Sequence, residues 1–279
     1  MAGSSSTKRR IAGKSSPAAT AFKPGKAPAK RDTRTIQLPS VLKGKHTFPA
    51  KWDIDFDQAE NLLPTPMFYN DKLGCCVIVG RAHMTLRFEY LEQKKLLNIT
   101  DKTVINAYKK EGGSLDEGTQ GLVLLDSLKI WRKKGWKVGA NTYKIHSFAE
   151  IAPGDITAVK TAIRFLGGAC AGLSLPVSSV EQFIRGESWR VVKGPDGDPN
   201  KWNGHCVYLC GYTKTGPVCI SMGRKQQMTW GFLRKHTDEL YAVIDKPDTF
   251  LKRKSPVNTK MLDSILKSIQ KTPPKRQPG

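Results

Sequence analysis

Residues 203–212 read NGHCVYLCGY, a glycine and a histidine leading into an alternating apolar run. Alternation at period two marks a strand, so His205 is expected at a strand edge. Cys206 and Cys210, four residues apart, then share one face as core residues. Further back, the turn NDKLGCC at 70–76 precedes VIVGRAHMTLRFEYLEQKKLL, a long helical pattern. Cys76 therefore stands in the first turn of a helix. Unpaired backbone N–H groups and the positive end of the dipole there favour the thiolate, the nucleophilic form of cysteine. His205, 129 residues later, is the base such a nucleophile needs. Asn70, six residues before Cys76, carries an amide that can face a developing oxyanion.

The rest of the chain reads as a helical half followed by a strand-rich half. Thr100/Asp101 is an N-cap signal ahead of KTVINAYKK. A third helix is predicted over about 119–134, ending at Gly135, with WKVGA as a short strand after it. DITAVKTAIRFL, 155–166, is predicted helical and closed by Gly167-Gly168. The apolar runs ACAGLSLP, HCVYLCGYT, PVCISMG and ELYAVID are predicted strands, and 178–203 a long connection with GPDGDPN as turn chemistry.

Charge separates the ends from the middle. The chain has 279 residues and a net charge of +22; residues 1–51 carry +11, 246–279 carry +7 and the long middle only +4. A basic DNA-binding domain does not fit that distribution; basic arms on an ordinary domain do. Residues 1–35 hold almost no large apolar side chain to offset the entropy of ordering and are expected to be disordered, with 36–50 an extended arm that begins to pack. In the C-terminal tail, KMLDSILKSIQ is a short amphipathic stretch with Met261, Ile265 and Ile269 on one face. No run approaches 18 apolar residues, so no transmembrane helix is expected, and the N-terminus has no secretory apolar core. A cytoplasmic or virion-associated location is expected; the Arg/Lys/Ser-rich, acid-poor N-terminus also leaves mitochondrial import open. Six cysteines without a secreted spacing fit a reducing compartment.

Several segments together resemble the papain-like cysteine peptidases, whose Cys-to-His separation is of this size. FPAKWDIDF at 48–56 resembles the mature N-terminal Pro…Asp segment. NDKLGCC resembles Gln-Gly-x-Cys-Gly-Ser-Cys, with Asn70 at the Gln position and Cys76 at the nucleophile. GTQGLVLLDSLKIWRKKGW, 118–136, is similar to the Gly-Gly-containing helix that follows; AVKTAIRFLGGACAGLSLP is similar to a later helix–strand pair, and GHCVYLCGY to Gly-His-Ala-Val-x-x-Val-Gly-Tyr. The departures are Val77 where an aromatic residue usually follows the nucleophile, and Ile220-Ser221-Met222-Gly223 where the family has Asn-Ser-Trp-Gly. An ungapped count from His205 puts Ser221 at the Asn position, whereas alignment on Gly223 puts Ile220 there.

The resemblance implies an α+β, papain-like two-lobe fold over 48–245: a helical lobe of about 50–150 and a twisted antiparallel β lobe of about 150–245. It is flanked by a basic disordered arm, 1–47, and a basic C-terminal tail, 246–279. It implies a cysteine hydrolase of peptide or isopeptide bonds with no metal or organic cofactor, in which Cys76, His205, Asn70 and Ser221 form the catalytic group and Gly74 and Trp202 line the substrate cleft. The expected partners are a peptide or protein substrate and, through the tails, nucleic acid or another polyanion. The competing reading is a non-catalytic papain-like scaffold, for example a virion or nucleoprotein component held to polyanions by its tails.

Overall fold

The alternating run at 204–212 is the centre of a sheet, and the two faces of that sheet define two cores. The structure is a computed structural model and describes residues 23, 25–57, 63–116, 121–201, 203–245 and 255–271. In chain order its elements are α1 (Leu38–Val41), β1 (Trp52–Asp53), α2 (Cys76–Gln93), α3 (Asp101–Lys110), α4 (Leu124–Lys133), β2 (Trp136–Val138), β3 (Asn141–Tyr143), β4 (Ser147–Glu150), α5 (Ile156–Leu166), β5 (Ala169–Ser174), α6 (Val177–Ile184), β6 (Gly204–Tyr212), β7 (Pro217–Ser221), β8 (Arg224–Gln227), α7 (Trp230–His236), β9 (Thr237–Ile244) and α8 (Thr259–Lys271). The main sheet runs β4-β9-β5-β6-β7-β8 with β1 on β6, all antiparallel; β2 and β3 form a separate hairpin.

The two-residue pleat divides the apolar side chains as expected of a sheet covered on both sides. Cys170, Cys206, Tyr208, Cys210, Tyr241 and Val243 join the core built by α2, α3 and α4. Ala171, Leu173, Val207, Leu209, Leu240 and Ala242 join a second core with α1, α5, α7 and α8. Cys206 and Cys210 are thus core residues of one face, and all six cysteines are buried free thiols.

The local signals for helix ends are realised. Thr100 accepts the N–H of Thr103 and Asp155 that of Ala158, while Gly167 closes α5 in the left-handed region. Helix α2 is buried on nearly every side rather than amphipathic, as a helix between a sheet and two other helices must be. Its charged residues are paired within the protein. Arg87, fully buried, forks onto Asp55 at 3.1 and 3.0 Å, and Arg81 meets Glu111 at 2.6 Å.

Three expectations are corrected, and two elements were not foreseen. Residues 25–35 are not disordered, and 36–47, read as an arm that begins to pack, are bound against the sheet and α8. Lys26, Ala27, Ile36, Leu38 and Val41 are buried, with Glu150 N–H donating to the Ile36 carbonyl at 2.6 Å. The few apolar residues of the segment are placed where the sheet rim and α8 can cover them. Residues 1–22 and 24 of the expected N-terminal arm, and 246–254 and 272–279 of the expected tail, lie outside the described residues. The connection 178–203 contains α6, whose Ser179 and Gln182 are buried. The buried face of α8 is Leu262 and Leu266, with Ile265 and Ile269 packed beside them, while Met261 is exposed. Residues 224–236 also form β8 and α7, elements that charge and short length conceal from periodicity. Among the described residues no helix is long and apolar enough to cross a membrane.

Candidate active site

Cys76 is the first residue of α2, and no side chain caps that helix end. The entering loop is tightly turned, with Phe68 and Tyr69 both at positive φ. The Cys76 Sγ accepts the N–H of Cys206 at 3.2 Å, so the thiol lies against the peptide that joins His205 to Cys206 in β6. Two elements 129 residues apart in sequence are therefore brought together as the spacing implied.

His205 is buried, and its Nε2 lies 3.0 Å from Ser221 Oγ at the end of β7. Of the two residues the sequence offered as partner of His205, Ser221 is the one in contact with the imidazole, while Ile220 is in the α2-side core opposite Tyr208. Asn70 is buried nearby. Its Nδ2 donates to Met222 Sδ at 3.4 Å, and its Oδ1 has no hydrogen-bond partner. A thioether is a weak acceptor, so this amide is easily claimed by a stronger one. Trp202 lies outside the described residues.

The electrostatics describe a closed site. Burial pushes the Cys76 thiol up to about 11, against the opposing help of the Cys206 N–H and of Lys26. Burial likewise pushes the His205 imidazole down to about 4. At neutral pH both groups are uncharged in this conformation. Cys75, the residue before, is also raised by burial, and its Sγ contacts the Phe68 carbonyl oxygen at 3.7 Å.

The cover over this site comes from the chain itself. Gly25, Lys26 and Ala27 run as an extended segment between two walls. The N–H groups of Gly25 and Lys26 both donate to the Gly204 carbonyl at 3.0 Å. Ala27 N–H donates to the Leu122 carbonyl at 3.0 Å, and Leu122 N–H to that of Gly25 at 3.2 Å, a parallel bridge. The approach is so close that glycine is needed on both sides. A Cβ on Gly25 would lie 2.2 Å from the Gly74 carbonyl carbon, and one on Gly204 would lie 2.2 Å from the Lys26 carbonyl oxygen. Gly74 lines the channel that holds residues 25–27, and Leu122 and the Gly204 carbonyl join it. Sequence reading had not singled out those two positions, because a backbone wall leaves no side-chain signature beyond a neighbouring glycine.

No family model matches the sequence, and no curated protein matches it. Solved structures do. Xylellain, a cysteine protease from Xylella fastidiosa, matches with a TM-score of 0.56 at 14% identity, covering 87% of this chain and all of its own. The proform of the Amb a 11 cysteine protease of ragweed pollen matches with a TM-score of 0.53 at 13% identity, over 77% of this chain and 72% of that one. A Carica candamarcensis cysteine protease, CMS1MS2, solved with E-64, matches with a TM-score of 0.51 at 10% identity, over 71% of this chain and all of its own. The fold is papain-like, α+β, with an antiparallel sheet covered by helices on both faces and the candidate site where the N-terminus of α2 meets β6.

Proposed function

We propose that the chain is a papain-like cysteine hydrolase of peptide or isopeptide bonds. The observation that carries this is the convergence of three sequence-distant groups: the Cys76 thiol at a helix N-terminus, the adjoining His205, and Ser221 on the imidazole's Nε2 at 3.0 Å. With a proton on Nε2, the ring donates to Ser221 Oγ and Nδ1 is left to take the thiol's proton. The thiolate then attacks the acyl carbonyl carbon. The new oxyanion is held by the Cys76 N–H and the Asn70 amide, which exchanges Met222 Sδ for a stronger acceptor. The imidazolium gives its proton to the leaving amine, and water hydrolyses the thioester.

A second reading, a scaffold without catalysis, is favoured by one feature: the thiol is fully buried and neutral in this conformation. The two readings part at the thiol. Once the cover is displaced, a hydrolase alkylates with iodoacetamide at Cys76 down to about pH 5–6 through a thiolate–imidazolium pair, and His205→Ala abolishes that low-pH reactivity together with peptide hydrolysis. An ordinary thiol profile near pH ~8.5, indifferent to His205→Ala, refutes the hydrolase and leaves the scaffold.

A further inference from the structure

Lys26 is a charged residue taken almost wholly out of water. Its side chain is 1% exposed, and its Nζ lies 3.0 Å from Asp238 Oδ2 and 3.0 Å from Glu239 Oε1, while also donating to the Ala27 carbonyl at 2.9 Å. Glu239 is 2% exposed and Asp238 is 31% exposed. Burying such charges is costly unless they are paired, so an arrangement with two carboxylates at the rim of a cleft calls for a cation. The space for that cation is made by Gly172 on β5, which pairs with Cys206 on one side and Glu239 on the other. A Cβ there would come within 2.5 Å of Lys26 Cε and 2.7 Å of Glu239 Cγ. An alkyl stem thus crosses a gap that any side chain at 172 would close, and its charged tip ends between two acids.

The backbone carrying this stem is held by the cleft walls rather than by its own local structure. Extended pairing to a carbonyl and an N–H/C=O couple, with alternate side chains entering pockets, is the general form of peptide recognition by strand addition. Residues 25–27 are therefore placed as a peptide ligand is placed, beside the segment that bears Cys76.

We propose that Gly172, Asp238 and Glu239 form a specificity pocket of the cleft for a Lys or Arg side chain of a peptide substrate, and that Lys26 is its resident occupant. This rests on the hydrolase reading for the word substrate, and on the geometry alone for the pocket. A neutral or acidic side chain is disfavoured there because it leaves Glu239 buried without a counter-charge. The chain's own segment and a substrate compete for the same walls.

The test has a binding arm and a cleavage arm, both in the full chain. In the Cys76→Ser, Lys26→Glu chain the resident side chain is repelled by the pocket; Lys26→Met is the milder companion should the Glu variant fold poorly. A labelled peptide of residues 23–31 is titrated by fluorescence anisotropy against the same peptide with norleucine in place of its Lys26. Expected is at least tenfold weaker binding of the norleucine peptide, with that difference abolished by Glu239→Gln and by Gly172→Val. Equal binding of the two peptides, or no binding of either to both parent chains, overturns the pocket. In the cleavage arm, the Lys26→Glu chain with Cys76 intact is offered a positional library of fluorogenic peptides. Cleavage selecting Lys or Arg at one position, with the preference lost in Glu239→Gln, supports both proposals. Selective binding without any cleavage refutes the hydrolase while the pocket stands as a binding site, and cleavage without basic selection refutes the pocket while the hydrolase stands.

Discussion

Ser221 is the residue at which sequence pattern and geometry part company most usefully. Pattern matching on Gly223 selects Ile220, which has nothing to offer an imidazole; counting from His205 selects Ser221, and the 3.0 Å contact follows the count. Strand register explains this, because His205 and Ser221 lie near the same end of adjacent antiparallel strands, β6 and β7. A neutral hydroxyl accepting one ring N–H contributes about 1 kcal/mol. On the hydrolase reading, Ser221→Ala is therefore expected to lower kcat by roughly five- to tenfold with KM little changed, and to diminish the low-pH alkylation of Cys76 as the imidazolium loses its acceptor. Ser221→Asn, which restores an acceptor, should recover both. A loss of thermal stability with no change in the alkylation profile would assign Ser221 a packing role only. Asn70 was legible as a polar residue near Cys76, but its weak hold on Met222 was not, since that contact joins residues 152 positions apart.

At the scale of elements, α2 shows how a helix can be legible in the sequence while its surroundings are not. Buried on nearly every side, it has no polar face to align, yet it carries Arg81 and Arg87. In sequence these look like solvent contacts. In the fold, Arg87 and Asp55 are both fully buried in a two-pronged pair, and Lys225 of β8 adds contacts of 2.7 Å to Asp53 and 2.8 Å to Asp55. The WDIDF segment was legible as a motif, and its physical task is to supply the acids that let a charged helix lie inside the protein. Removing one member strands the other, which typically costs 3–5 kcal/mol. Asp55→Ala is thus expected to lose about that much stability by denaturant titration, whereas Lys129→Ala, removing a half-exposed partner of Asp32, should lose less than about 1 kcal/mol. Equal, small losses for both would show that Arg87 finds water or another acceptor when Asp55 is absent.

Across the whole molecule, composition was the least informative guide. It assigned residues 1–47 to one arm, although 25–47 are bound into the fold by a handful of side chains: Lys26 in its acid pair, and Ile36, Leu38 and Val41 against the sheet and α8. A segment needs only a few well-placed anchors to be ordered when a finished surface receives it, and an average over thirty residues cannot register them. The enclosure that results has a consequence for the stability of the entire fold. His205 and His83 are each 1% exposed, and burial holds both imidazoles neutral, His205 near 4 and His83 well below its usual value. In the unfolded chain both titrate near 6.5. Between those values the unfolded state binds more protons, so stability rises with pH across the window and is lost as pH falls from about 6.5 towards 4. For His205 alone the shift corresponds to about 3 kcal/mol. The thermal midpoint should therefore fall steeply between pH 6.5 and 4.5, and His205→Gln, which has no proton to gain, should flatten that limb relative to the parent chain. Displacing residues 25–27 by Lys26→Glu should flatten it as well, by admitting water to the imidazole. A pH dependence identical in all three chains would place the acid-sensitive groups elsewhere and show that the segment does not seal His205 from solvent.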